Sequence, residues 1–165
     1  EECPLQQICL AYADGTQLQY PNKAKAKERT VEEKTILIIR DAELAALHKR
    51  PAKGLLAGMY EFPSMKGYHT AEEVKEYLAE NGLQVLRIQP LEDAKHIFSH
   101  REWHMKGYLI RVDELAPKRE GPDSADWIYI EPSETREKYP IPSAFAVYAK
   151  GLNMKLGARE NDPGQ

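Results

Sequence analysis

The sequence predicts a mixed α/β fold of the α+β kind, in which one sheet is sandwiched by helices. Apolar, β-rich runs stand both before and after one well-capped central helix. A second amphipathic helical segment follows near the C-terminal end, so both faces of the sheet can be covered. The length of 165 residues, with 42% hydrophobic and 30% charged residues, suits a single domain with a sizeable core rather than a disordered chain.

Taken in order, residues 3–20 are short and mixed. Asn22-Lys23-Ala24-Lys25-Ala26-Lys27-Glu28-Arg29 is basic and has no apolar face. It reads as a linker, which would graze phosphates beside a nucleic-acid module or otherwise serve as a solvated connector. Folding is expected to begin at Lys34. Residues 35–40 form an apolar strand, residues 41–43 a tight connection, and residues 44–48 a second strand that completes a hairpin. Residues 49–54 are a basic loop, and Gly54 and Gly58 mark irregular backbone in the segment that follows. Residues 64–69 are read as a loop. Thr70 as N-cap and Glu73 three residues later make a capping box, Val74, Tyr77 and Leu78 share one face, and Gly82 ends the helix. Strands are predicted over 85–88, up to Phe98, and from Trp103 through Val112. Residues 113–126 are an acidic, Pro-rich surface loop, and 127–130 form another strand. Residues 133–138 make a helical turn, and Ser143 is expected to cap a last amphipathic helix ending near Gly151. Residues 153–165 lack apolar periodicity and read as a disordered tail.

Net charge is −3, which argues against binding nucleic acid by bulk charge but allows a local basic face. No apolar run approaches the length of a membrane span, and no signal peptide opens the chain. The chain starts Glu-Glu-Cys without a Met, which suggests a fragment of something longer. Its two cysteines are Cys3 and Cys9. They are either a small disulfide or free thiols, or else half of a metal site that needs four ligands.

Three constellations carry chemical possibilities. Residues 75–83 resemble the tail of the Nudix box, whose clustered glutamates hold a divalent cation against a diphosphate. Ala79 stands where a carboxylate is expected, and the upstream Gly and Glu positions hold Glu61 and Gly67. The resemblance implies a Nudix-like fold with a degenerate box that has lost hydrolase chemistry; an ordinary surface helix fits the same residues. His96, His100 and His104 would line one helix face as metal ligands, but Ile97, Phe98, Trp103 and Gly107 favour a strand-turn-strand in which they diverge. Ser99 beside His100 lacks the Gly-x-Ser-x-Gly elbow of a serine nucleophile. What remains is an exposed tip. Turns normally use Gly, Asn, Asp or Pro, so a turn built from Phe98, Ser99 and His100 suggests a contact surface. Trp103 is expected to be a buried strand residue.

Four blocks in order resemble the C-terminal part of the MutY family of adenine DNA glycosylases. They are Cys3-Pro4-Leu5-Gln6-Gln7-Ile8-Cys9; Tyr20-Pro21-Asn22-Lys23 with Lys27; Gly54-Leu55-Leu56-Ala57-Gly58-Met59-Tyr60-Glu61-Phe62-Pro63; and Phe98-Ser99-His100 with Trp103. Beyond Trp103 the likeness weakens. The resemblance implies that residues 1–20 end the loop of a 4Fe–4S cluster, with Cys3 and Cys9 as two of its four ligands in the intact protein. Residues 21–33 would be the interdomain linker, 34–152 a Nudix-like lesion-recognition domain, and 153–165 a tail. It implies DNA base-excision repair, with the catalytic domain outside this chain, no catalytic residues here, and no cofactor bound by the fragment alone. Expected partners are duplex DNA carrying 8-oxoguanine opposite adenine and the N-terminal catalytic domain of the same protein, with a monomeric, cytoplasmic, nucleoid-associated setting in a bacterium. The alternatives are a Nudix-type hydrolase of oxidised nucleoside triphosphates and a protein-interaction module.

The tip chemistry suits the resemblance. Guanine offers an acceptor at N7, which proteins read with donors. In 8-oxoguanine N7 carries a hydrogen, so the reader must supply an acceptor, such as the Ser99 hydroxyl or a turn carbonyl. Phe98 would wedge or stack against bases, His100 would donate to a phosphate, and Lys95, Arg101 and Lys106 would add phosphate contacts.

Overall fold

The computed structural model describes residues 4–19, 28–115 and 127–150. The apolar run of the first long strand sets the architecture. In β1 (Thr30–Arg40) the four residues Ile36, Leu37, Ile38 and Ile39 are all fully buried. Successive side chains of a strand point to opposite faces, so a continuous apolar run means that both faces are covered. Ile36 and Ile38 join one core with Phe62, Trp103, Met105 and Phe145. Leu37 and Ile39 join a second core with Val74, Leu78, Tyr108 and Ile110.

β1 pairs in parallel with β7 (Arg101–Val112) along its whole length, from Thr30 opposite Arg101 to Arg40 opposite Arg111. Every other pairing is antiparallel. β2 (Ala45–Lys49) flanks β1 and carries β3 (Tyr60–Glu61) and β8 (Trp127–Ile130). β5 (Val85–Pro90) and β6 (Ala94–Ile97) share β7, β6 taking its first half and β5 its second. Beyond the short α1 (Leu10–Ala13), α2 (Ala71–Glu80) covers the second core through Val74 and Leu78. A 3₁₀ turn, Ser143–Phe145, running into α3 (Ala146–Ala149) covers the first through Phe145 and Tyr148. This is the expected mixed sheet between helices. Among the described residues no helix is long and apolar enough to cross a membrane.

The capping box is formed as the sequence predicts. The Thr70 N–H donates to Glu73 Oε2 at 2.7 Å and the Glu73 N–H to the Thr70 hydroxyl at 3.3 Å. Gly82 adopts φ +78, the left-handed conformation that ends a helix cheaply.

Elsewhere the structure corrects the sequence reading. β1 begins at Thr30, inside the stretch read as linker, because residues 30–33 pair with residues 101–104. The presumed loop at 64–69 contains β4 (Ser64–Lys66), paired with β1, since a three-residue strand is too short to show alternation. Ser143 is the first residue of the last helical segment rather than its cap; Pro142 holds the cap position without a side-chain bond. Leu115, within the presumed surface loop, is buried, and its N–H donates to Asp41 Oδ2 at 2.9 Å. The rest of that loop from 116 to 126, the basic run from 22 to 27, and the tail from 153 to 165 lie outside the described residues.

Asp41 also accepts from the N–H groups of Glu43 and Leu44, at 2.8 and 2.7 Å, and so fixes the β1–β2 connection. Burial opposes its charge, but the three backbone donors prevail and hold the carboxyl below its ordinary range.

Candidate functional site

β6 and β7 form a hairpin whose tip is Ser99 and His100. The Phe98 N–H donates to the Arg101 carbonyl at 2.8 Å and closes the turn. Ser99 and His100 are exposed, and Phe98 is half-buried. The His100 carbonyl accepts from the Thr30 N–H at 3.1 Å, which ties the tip to the start of β1.

Below the tip lies an aromatic stack. The Phe98 ring sits 4.8 Å from that of Trp103 and 4.6 Å from that of His96, both edge-on. Trp103 is 1% exposed and lies 5.9 Å from Phe145. The expectation of a buried Trp103 holds. Phe98 is neither a core residue nor a free wedge: its ring packs against Trp103 and His96 and stays half exposed.

A carboxylate braces this stack from β1. Glu32 Oε2 accepts from Trp103 Nε1 at 3.0 Å, and Glu32 Oε1 pairs with Arg101 Nη1 at 2.6 Å. Lys34 Nζ stands 3.8 Å from Glu32 Oε2 and 3.8 Å from the Trp103 ring centroid. Burial draws the Lys34 ammonium below the ordinary lysine range, against the opposing pull of Glu61 and Glu32. Arg50 covers Trp103 from 5.5 Å, held by Glu61 Oε2 at 2.5 Å and by the Leu55 carbonyl at 2.9 Å. Glu61, the residue at one broken Nudix position, is therefore a buried structural carboxylate. A cleft of about 1060 Å³ runs beside this brace, lined by Thr30, Glu32, Lys34, Met65 and Gly67 among others.

The structure brings Phe98, Ser99 and His100 together at the tip. Lys95 and Arg101 flank them but are paired, Lys95 with Glu102 at 2.5 Å and Arg101 with Glu32. His104 shares Glu102 at 2.6 Å. Hydrogen bonds from His104 and then Lys95 hold the Glu102 carboxyl below its ordinary range. The hairpin is thus less basic than its sequence suggests. Lys106 lies further along β7, opposite Thr35 and 5.6 Å from the Tyr108 ring. Cys9 is a free, half-buried thiol at the cap position of α1, whereas Cys3 lies outside the described residues. His96, His100 and His104 do not converge, and no group of three metal-capable side chains exists among the described residues. Glu72, Glu73, Glu76 and Glu80 of α2 are exposed. Glu32, Lys34 and Arg50 escaped sequence reading. The period-two alternation that places Glu32 and Lys34 on the face of Ile36 was its one available signal.

A sheet of this topology with its helix between β4 and β5 belongs to a recognised class: residues 35–150 match the NUDIX domain, and the chain belongs to that family. Among curated proteins it is similar to the adenine DNA glycosylases of Mus musculus, 29% identical over 150 residues, and Rattus norvegicus, 26% over 150. Each match covers 78% of this chain but only 28% and 29% of the relative, so the chain spans little more than a quarter of their length. Among solved structures, the C-terminal domain of mouse MUTYH in complex with human PCNA superposes with a TM-score of 0.56 at 22% identity, covering 78% of this chain and 93% of that one. A MutT protein from Bacillus halodurans gives 0.53 at 16%, covering 76% and 84%. At these identities the structures speak for the fold.

Proposed function

We propose that this chain is the lesion-recognition part of an adenine DNA glycosylase acting in base-excision repair, and that it reads 8-oxoguanine opposite the mispaired adenine. The observation that carries the proposal is the Ser99–His100 tip, exposed at the end of a hairpin yet braced from below by Phe98, Trp103 and Glu32. The similarity to two mammalian adenine DNA glycosylases supports it. A site held rigidly by a second layer of packing reads a ligand more sharply than a loose loop.

In this reading Ser99 Oγ accepts the hydrogen that only the oxidised base carries at N7. The His100 carbonyl is engaged by the Thr30 N–H, whereas Ser99 stands exposed at the tip. Phe98 presents its outward edge to the bases while Trp103 keeps it from folding back. Lys95 and Arg101 reach phosphates by exchanging their carboxylate partners, a small cost because both side chains are 54% exposed. Cys9, a soft thiolate donor, suits a 4Fe–4S cluster, with Cys3 and two cysteines from elsewhere in the intact protein completing the set. The excision step belongs to the catalytic domain of that protein, in a bacterial cytoplasm.

Nucleotide diphosphatase chemistry is disfavoured by the donor set. α2 spreads its glutamates into solvent, Ala79 interrupts them, and Glu61 is committed to Arg50. Incubating the chain with 8-oxo-dGTP and Mg²⁺ is expected to release no pyrophosphate above background; measurable turnover would restore the hydrolase reading. Fluorescence anisotropy with duplexes that differ only in 8-oxoguanine or guanine opposite adenine is expected to give tighter binding to the oxidised duplex, and equal affinities would count against lesion reading.

A further inference from the structure

Three arginines stand in one row across three neighbouring strands. Arg40 ends β1 and is the partner of Arg111 on β7, and Arg111 is in turn the partner of Arg87 on β5. Directly opposed residues project from the same face, so the three guanidiniums emerge together. A β-bulge creates the row. The register set by Val85 opposite Val112 would place Leu86 against Arg111, but the shift between Val85 and Arg87 brings Arg87 there instead. With Gln89 and Leu109, the next opposed pair on that face, the arginines line a concave site of about 270 Å³.

Like charges in directly opposed positions are unfavourable unless something compensates them. Among the described residues none of the three forms an ion pair with a carboxylate, in contrast to Lys95 and Arg101 at the tip. Asp41 feels the charge of Arg111, but its oxygens are already taken by three backbone N–H groups. Guanidinium forks match phosphate oxygens in pairs, and a Gln amide adds a further donor. With strands about 4.8 Å apart the row is about 10 Å long. The row runs across the strands, so on a duplex that follows β7 it lies across the helix axis and can meet more than one backbone phosphate. Arg101 at the tip and Arg111 in the row lie on the same face of β7, ten residues apart. That is about 33 Å, close to the ~34–36 Å of one turn of duplex.

We propose that Arg40, Arg87 and Arg111 form a second DNA contact, which grips backbone phosphates one turn from the lesion without reading sequence. The choice of DNA as ligand rests on the function proposed above. Affinity of the chain for ~25-base-pair duplexes, with and without 8-oxoguanine, is measured against salt for the native chain, for R40Q/R87Q/R111Q, for R87Q/R111Q and for F98A/S99A. Far-ultraviolet circular dichroism checks that each variant is folded; R87Q/R111Q changes only exposed side chains and keeps the test valid if the triple variant is not. The arginine variants are expected to bind both duplexes at least tenfold more weakly at low salt, and the slope of log K against log salt should fall by about 0.9 for each phosphate lost. They should keep the ratio between the two duplexes, whereas F98A/S99A should lose the ratio and keep the slope. An unchanged slope in the arginine variants overturns the proposal, as does a row that captures a poly-glutamate peptide while contributing nothing to duplex binding. A slope that falls when no chain distinguishes the duplexes sustains the row while contradicting the tip.

Discussion

Single side chains decide what the tip can do. Trp103 is the largest fully buried side chain, and it touches Phe98, Phe145, Glu32, Lys34 and Arg50. Trp103→Ala should cost about 3–5 kcal/mol in urea unfolding through transfer and cavity terms together. Asp41 gives a pH signature. Its folded-state proton affinity is depressed, so the stability it contributes is full above its ordinary value of 3.8 and is lost as pH falls through the lower folded value. The stability gap between the native chain and Asp41→Asn should therefore be constant above about pH 5 and shrink below 3.8, as followed by urea midpoints across pH. A gap that widens on acidification would contradict this. The tip was legible in the sequence because an aromatic and a hydroxyl stand where turn residues normally do. Glu32 was not: the charged run before it hides the first two turns of alternation in β1, and its partners Arg101 and Trp103 are some seventy positions away.

At the scale of elements, β1 and β7 form the spine, and their parallel pairing couples the N-terminal end of β1 to the tip. Long apolar runs and a complete capping box made β1, α2 and β7 readable. β4 was not readable, because its existence depends on a partner strand rather than on its own three residues. Gly107 illustrates a requirement that only packing reveals. A Cβ there would run into the ring of Tyr148, whose hydroxyl donates to the Met105 carbonyl at 3.1 Å. Gly107→Ala should destabilise by about 1–3 kcal/mol, seen as a lower urea midpoint at unchanged m-value. At the cap of α2, Thr70→Ala should cost about 1 kcal/mol in the same assay, since it removes the acceptor of the Glu73 N–H.

For the whole molecule, a net charge of −3 is compatible with DNA only if positive charge is gathered locally. The sequence pointed to Lys95, Arg101 and Lys106 for that purpose, yet two of these are neutralised by glutamates. The arginines that gather without such partners among the described residues are 24 to 71 positions apart in sequence and meet only through strand register and a bulge, which no linear reading supplies. The fold class was legible: the NUDIX domain is present, with the glutamates of α2 exposed and Ala79 between them. The proposed lesion reading by the braced tip is tested most directly in the full-length protein, by measuring excision of adenine opposite 8-oxoguanine and opposite guanine for the native protein and for F98A/S99A. Loss of the acceptor for the N7 hydrogen, worth about 0.5–1.5 kcal/mol for one hydrogen bond, should lower the preference for the oxidised pair about two- to tenfold. An unchanged preference would contradict the role assigned to the tip.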